Sequence, residues 1–585
     1  MVVLLGLLLA LTTASTASAA VTPPSGPLQK SITSAQAIRS ALSDPKIADW
    51  VARYSTHSAR ADRSKDGLLW TVHVTATRGG EIAQAEVESS GRVRHAWTGP
   101  QVAWKMARGA KGAFGRKLND WRVWIGFCLL FCVGLVDWRR LASLHNLDVL
   151  GMLSLSVSLA YFNEGLVFWS VPLVYPPLLY LLGRLAWIGL RGGVRTVFAS
   201  AVPVWLLAAL AVFGIGFRLG LNAFDSTVID VGYAGTIGAD RLLRAQVPYG
   251  AFPTSSGAAC GTTNADGTSS AYRQASQAER CESPNTRGDT YGPLTYAAYA
   301  PAVAITGWTG RWDSLPSAHL TSIAFDLLCV LGLVVIGLRR SGARLAAMLA
   351  LCWVAYPFTA YSLQSNSNDM IVSAALIWGF AAETVPFRRG LALGVGSFCK
   401  FAPFVLWPLW LRNAPLLRTG LGLLAASATA LALVVPGGID ALHRAWDSTF
   451  GWQLDRPSPF SLWDWGIYPG LPDLGWLQTV LKVVVVLAAV ALGFRPRVLD
   501  GVRLAALSGA LLIAFQLTLT HWSYLYVEWF APFCLLAFCL GSSSEGELAV
   551  EHDLLEGPVS AHPVDPHLGA ADHHVLVHQA RVDHA

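Results

Sequence analysis

Apolar runs of about 18–22 residues recur from Trp121 to Gly541, each close to the roughly 20 residues that an α-helix needs to cross a bilayer. Within lipid every backbone N–H and C=O must find its partner inside the protein, which leaves helical bundles and closed barrels as the spanning folds. A barrel would show alternating segments of about 10 residues, and these are absent. The chain therefore reads as an all-α polytopic membrane protein. Its 585 residues are 53% hydrophobic and only 14% charged, with a mean hydropathy of +0.44. The net charge of +6 is modest and its arginines fall in short loops, where they set orientation. Nucleic acid is not an expected partner. The bilayer is.

Spans are expected at about 121–137, 147–165, 167–189, 197–219, 318–338, 343–362, 370–384, 417–435, 475–494, 503–520 and 523–540. Gly390–Leu411 is interrupted by Lys400 and Pro403. It reads as one broken helix or as two short pieces meeting near Lys400, for about 11–13 spans in all. Arg139-Arg140, Arg191 to Arg195 and Arg339-Arg340 flank one set of loops, which the positive-inside rule makes cytoplasmic. The loops at 220–290 and 437–474 then lie outside a plasma membrane. Tyr291–Trp308 reads as a re-entrant or interfacial helix, because a full crossing would carry Arg339-Arg340 outside.

Residues 1–20 read as a signal peptide or a first helix, ending in the small residues Ala-Ser-Ala-Ala. Residues 21–119 are soluble in composition. Leu69-Trp-Thr-Val-His-Val-Thr-Ala alternates at period two, and Ile82-Ala-Gln-Ala-Glu-Val-Glu follows Gly79-Gly80, a hairpin pattern. Ala35–Tyr54 reads as an amphipathic helix packed on that sheet. The pattern resembles small PepSY-like α+β domains, which implies an extracytoplasmic binding or regulatory module without chemistry of its own. Residues 120–540 form the membrane domain. Residues 541–585 read as a disordered cytoplasmic tail that holds half of the fourteen histidines without a fixed metal-ligand spacing. Of the nine cysteines only Cys260 and Cys281 stand outside apolar segments, and sharing one outer loop makes them a disulfide candidate, which would place that loop in an oxidising compartment.

The polar residues gather on the outer side of this topology. Asp225 and Asp230 open the longest polar interruption in the middle of the chain, with Tyr233 and Tyr249 beside them. A carboxylate here is either a general base for a hydroxyl or part of a solvated loop between two spans. Gln364, Asn366, Asn368 and Asp369 join two spans, Trp452, Arg456 and Trp463 lie in a later loop, and His521 and Trp522 precede the last span. Lys400 is a charge inside an apolar segment, which marks function unless it snorkels to the surface. Carboxylates and amides suit hydroxyl-rich ligands, Lys and Arg suit phosphate, and aromatic faces suit sugars. No nucleotide-binding glycine motif follows a strand. No cofactor is expected, and a divalent metal is neither implied nor excluded.

Asp230-x-x-Tyr233, Leu242-Leu243, Pro248-Tyr249-Gly250, Tyr291-Gly-Pro-Leu294, Gln364-x-Asn366, Asn368-Asp369 and Lys400-x-x-Pro403 stand in an order and on a side that resemble the GT-C glycosyltransferases. The likeness covers about residues 197–540. It is nearest the GT87-like, polyprenol-phosphate-mannose-dependent mannosyltransferases of actinobacteria. The resemblance implies inverting transfer from a polyprenyl-phosphate sugar to a cell-envelope glycan or glycolipid, with an outer-loop aspartate as base. That role maps best onto Asp230, with Asp225 as competitor. Gly292 stands where the family has proline, and the N-terminal domain and its four-span preamble lie outside the family's usual core. A transporter or lipid flippase is the alternative, since it too uses intramembrane charge and broken helices.

Overall fold

The computed structural model describes residues 32–64, 67–77, 80–109, 115–192, 197–250, 290–308, 315–412, 415–451, 453, 457–496 and 499–541. The expected signal segment, the Cys260–Cys281 pair, Trp452, Arg456 and the tail from 542 onwards lie outside the described residues.

The N-terminal domain is a four-stranded antiparallel meander with two helices on one face. Thr33 and Gln36 form a reciprocal cap at the start of α1 (Ser34–Leu42). The single helix expected over Ala35–Tyr54 is two, because the Asp44 side chain caps a new start and Pro45 fits only the first turn, giving α2 (Pro45–Val51). The sheet runs β1 (His57–Arg63), β2 (Leu69–Ala76), β3 (Gly80–Glu88), β4 (Val93–Thr98) in sequence order. The expected hairpin is β2–β3, with Leu69 opposite Glu88 and Ala76 opposite Gly80. Ala37, Ala41, Ile47 and Val51 join Val72, Val74, Ile82 and Val87 in the core between helices and sheet.

Beyond two 3₁₀ turns the chain is helical. The main elements are α3 (Trp121–Leu135), α4 (Leu144–Asn163), α5 (Tyr175–Arg191), α6 (Val204–Asp225), α7 (Asp230–Leu243), α8 (Pro293–Thr306) and α9 (Pro316–Ser341). There follow α10 (Ala343–Ala355), α11 (Pro357–Gln364), α12 (Asp369–Ala381), α13 (Pro386–Cys399) and α14 (Leu416–Ala432). Last come α15 (Gly438–Trp446), α16 (Gly475–Leu492), α17 (Gly501–Leu517) and α18 (Val527–Cys539). Among the described residues five helices are long and apolar enough to cross a membrane, and α10 and α11 make a sixth if counted as one span bent by 56° at Pro357. Shorter apolar helices include α3, α12, α17 and α18. On α16, Val480, Val483, Val484, Val486 and Leu487 are each about half exposed or more. Such an apolar girdle suits lipid and would be a liability in water. By contrast α17 and α18 are buried almost throughout.

α6 differs from the sequence reading. It starts later, after Pro203, and runs on to Asp225, so Asn222 and Asp225 belong to its last turns and not to a loop. Tertiary partners make this possible: Asn222 Nδ2 donates to Leu363 O at 2.7 Å and to Asn366 Oδ1 at 2.9 Å. Gly390–Leu411 is two pieces. α13 ends at Cys399, Lys400 is extended (φ −145°, ψ 147°), and a 3₁₀ turn leads into Trp407–Leu411. The guanidinium of Arg389 lies 5.7 Å from the Trp410 ring, so the second piece returns to the level where the first began.

The two ends of the bundle differ in charge. Arg344 donates to Ser200 O, Arg340 pairs with Glu383, and Arg340 also packs beside Gly501. The opposite end carries the N-terminal domain. Trp50 stacks on Phe168 at 5.7 Å and meets Tyr468 at 5.8 Å. Gln101 Nε2 donates to Gly165 O at 2.9 Å, and Trp104 lies 5.4 Å from His521.

Candidate active site

At the domain end four helices, α7, α8, α12 and α18, begin around one point. Each start leaves backbone N–H groups and the positive end of the helix dipole facing inward. Asp230 and Asp369 are the first residues of α7 and α12, and Glu528 sits in the first turn of α18. Carboxylates at these positions are locally favoured.

Lys400 supplies the cation. Its Nζ lies 2.5 Å from Asp369 Oδ1, and the two side chains are 10% and 1% exposed. Trp529 Nε1 donates to the same Asp369 oxygen at 3.0 Å, while the Ser367 hydroxyl donates to the other. The ammonium is also walled by three rings, with centroids at 5.3 Å for Tyr291, 5.6 Å for Tyr526 and 5.5 Å for Trp529. Such faces attract a partly desolvated cation. Tyr526 stacks on Trp529 at 4.3 Å, which holds the wall rigid.

Tyr291 links this pair to Asp230. Burial, followed by the charges of Asp230, Tyr526 and Asp369, pushes its phenol well above the ordinary value. The face of the same ring lies 5.3 Å from the Lys400 ammonium. Gly292 makes the placement possible. Its N–H donates to Cys399 O at 3.1 Å, and a Cβ there would lie 2.0 Å from Phe398 O. Proline at this position would lose the hydrogen bond and clash.

α7 is held by a stripe of small residues. Cβ atoms on Gly235 and Gly238 would lie 2.6 Å from Tyr299 and 2.1 Å from Tyr296, so α7 and α8 pack with backbone nearly touching ring. Tyr233 is buried three residues beyond Asp230 and meets Trp308 edge-on at 5.6 Å. Tyr249 donates its hydroxyl to Tyr291 O at 2.7 Å and packs on Tyr296. Both tyrosines frame the site.

The remaining residues singled out by sequence fall into three groups. Asp225 accepts the Lys117 backbone N–H at 3.0 Å and ties the linker after the N-terminal domain to α6. Gln364 Nε2 donates to Arg218 O at 2.8 Å, and Asn366 Nδ2 donates to Ser226 and Thr227, each at 3.0 Å. Asn366 sits at φ +48°, a left-handed conformation that asparagine tolerates better than most residues. These amides serve the turn between α11 and α12. Asn368 differs: it is 2% exposed, adjoins Asp369, and among the described residues neither polar atom of its side chain has a partner. His521, Trp463 and Trp522 form the third group, beneath the N-terminal domain. His521 Nδ1 meets Ser458 Oγ at 2.9 Å, Trp463 donates to Leu517 O, and Trp522 donates to Gln516.

Sequence reading passed over Trp529, which orients Asp369, and the fully buried pair Arg218–Asp326 at 2.9 Å in α6 and α9. The rule that singles out Lys400, a charge inside an apolar run, applies equally to Arg218 and Asp326. Among the described residues no group of three or more His, Cys, Asp and Glu side chains is arranged to hold a metal ion.

Fold and site together define a helical, polytopic membrane protein with a buried, aromatic-walled Lys–carboxylate centre under a small α+β domain. No family model and no curated protein matches the chain. Among solved structures it is similar to ArnT from Cupriavidus metallidurans bound to undecaprenyl phosphate, at 15% identity and a TM-score of 0.35. The match covers 60% of this chain and 63% of that one, less than two thirds of its length. A likeness this loose assigns no residue a role.

Proposed function

We propose that this chain is a GT-C-type membrane glycosyltransferase. In this reading it moves a sugar, mannose or another, from a polyprenyl-phosphate donor to a cell-envelope glycan or glycolipid on the extracytoplasmic face. The observation that carries the reading is the gathering of Asp230, Tyr291, Asp369 and Lys400 where four helices begin, at the end of the bundle away from the arginines. Inward-facing helix starts and a lysine favour an anionic phosphate. The positive-inside rule makes the opposite end cytoplasmic.

Chemically, Asp230 accepts the proton of the acceptor hydroxyl as that oxygen attacks the anomeric carbon. The bond from that carbon to the phosphate oxygen breaks, and polyprenyl phosphate leaves with the electron pair and one more negative charge. Lys400 balances that charge, with Arg456 as a second phosphate ligand. Asn368 and Asp369 hold sugar hydroxyls, and Tyr291 donates its O–H beside the reacting groups. Trp463 and Trp522 belong to the wall further out. General-base help is worth roughly 10²–10⁴-fold, and positioning supplies much of the rest.

The test is a membrane assay with radiolabelled polyprenyl-phosphate sugars that compares the parent with Asp230→Asn. A loss of transfer in a normally folded variant is expected. Unchanged transfer by Asp230→Asn and Asp225→Asn alike would remove the carboxylate base from the mechanism.

A further inference from the structure

The end of the bundle opposite the candidate active site holds a cavity of about 790 Å³ at the termini of α3, α4, α10 and α18. It falls within the roughly 300–1,000 Å³ typical of ligand sites. Arg139, Arg140 and Arg344 line it, together with Trp138, Phe198 and Phe538. Among the described residues none of these three arginines has a carboxylate within ion-pairing distance. The one carboxylate in the lining, Asp137, accepts the backbone N–H of Arg139 at 3.0 Å.

The site has built parts. Arg344 Nη1 is held by Ser200 O at 2.8 Å and Val202 O at 3.1 Å, which fixes the guanidinium plane and leaves its other nitrogens to a ligand. His145 stacks on Phe198 at 4.0 Å, and its Nε2 lies 2.7 Å from Leu135 O. Segment 197–201 is in turn pinned by the Phe198 N–H to Cys539 O, at 3.0 Å. An apolar strip leads away from the arginines: Leu141, Leu144 and Leu147 are 65%, 62% and 44% exposed.

We propose that this cavity binds the phosphate headgroup of an anionic membrane lipid, whose acyl chains lie along the leucine strip. Orientation alone would be served by arginines anywhere in the loop. It does not call for three guanidiniums around one cavity, one of them anchored to two carbonyls. Guanidiniums bind phosphate oxygens through charge-assisted, often paired hydrogen bonds, and basic pockets between membrane helices hold anionic headgroups. The adjoining leucines favour a lipid over free phosphate. The proposal is independent of the glycosyltransferase reading.

Native mass spectrometry of the detergent-purified full chain tests it, with phosphatidylglycerol, phosphatidylcholine and inorganic phosphate as separate probes. Phosphatidylglycerol is expected to stay bound through delipidation, phosphatidylcholine to leave, and inorganic phosphate to compete poorly. R139Q/R140Q should weaken phosphatidylglycerol binding by about tenfold or more, since each lost charge-assisted contact is worth about that much. Phe198→Ala should weaken it without altering any charge. It serves as the second variant if the arginine pair misinserts. Equal retention of the two lipids, or unchanged binding in both variants, would overturn the proposal. Full displacement by inorganic phosphate would reassign the cavity to a soluble anion and overturn the lipid. Binding seen only after removal of residues 542–585, which carry Glu545, Glu547, Glu551 and Asp553, would make the chain's own acidic tail the occupant and overturn it too.

Discussion

Two of the ion pairs inside this bundle, Arg218–Asp326 and Lys400–Asp369, are built differently. Arg218–Asp326 is sealed, with both side chains fully buried. Its guanidinium donates to Thr359 O at 2.9 Å and Val354 O at 3.1 Å, and Trp353 Nε1 donates to Asp326 Oδ1 at 2.9 Å. Lys400–Asp369 keeps part of its lysine exposed and is walled by ring faces at the convergence of helix starts. The first pair locks α6, α9 and the bend between α10 and α11 to one another. The second leaves a cation with donor capacity to spare. Low dielectric makes either pair strong only while both partners remain, so burial alone does not mark a functional charge. What separates the two is access: Arg218 Nε and Asp326 Oδ2 have no partner among the described residues but are sealed from any ligand, whereas Lys400 keeps part of its surface open.

The largest effect is expected at the sealed pair. Arg218→Met leaves Asp326 alone in the core and should cost roughly 3–5 kcal/mol, enough to abolish a monodisperse product on size exclusion. Adding Asp326→Leu should restore part of the yield. A single variant that melted like the parent would show the pair to be dispensable. Next comes Asp230→Asn, which should lower transfer by about 10² or more while leaving the melting temperature unchanged. Lys400→Gln should raise the KM for the polyprenyl-phosphate donor by about tenfold or more through loss of a charge-assisted contact. A change confined to stability would instead place Lys400 with Arg218 as a structural charge. Gly292→Ala forces a side chain onto Phe398 O and should cost about 1–3 kcal/mol in thermal unfolding. Smallest is Asp225→Asn, which keeps its shape and should shift stability by about 1 kcal/mol or less with transfer intact. Loss of transfer there would move the base from Asp230 to Asp225.

The helical bundle was legible in the sequence because a bilayer leaves few alternatives: long apolar segments and arginine-bearing loops suffice. The central strands of the N-terminal sheet were legible from their alternation. β1 was not, because His57–Arg63 is largely polar and mostly exposed, with no buried face to impose a period. At the candidate site, sequence reading singled out Asp369 and Lys400, which the fold pairs. It could not tell a spent amide from an available one. Asn366 and Asn368 look alike in the chain, yet one holds Ser226 and Thr227 and the other has no partner among the described residues. That distinction depends on where α6 ends, which tertiary hydrogen bonds decide.

The docking of the N-terminal domain also has a consequence in time. Its contacts reach Phe168 early in the membrane domain, but also Tyr468, Phe460 and His521 near the end. A chain is synthesised from its N-terminus. The sheet domain is therefore made first, yet its seat is complete only after more than four hundred further residues have been added. Until then Trp50 and Trp104 have no full complement of partners, and maturation of the candidate site waits on the last interhelical loop to be made.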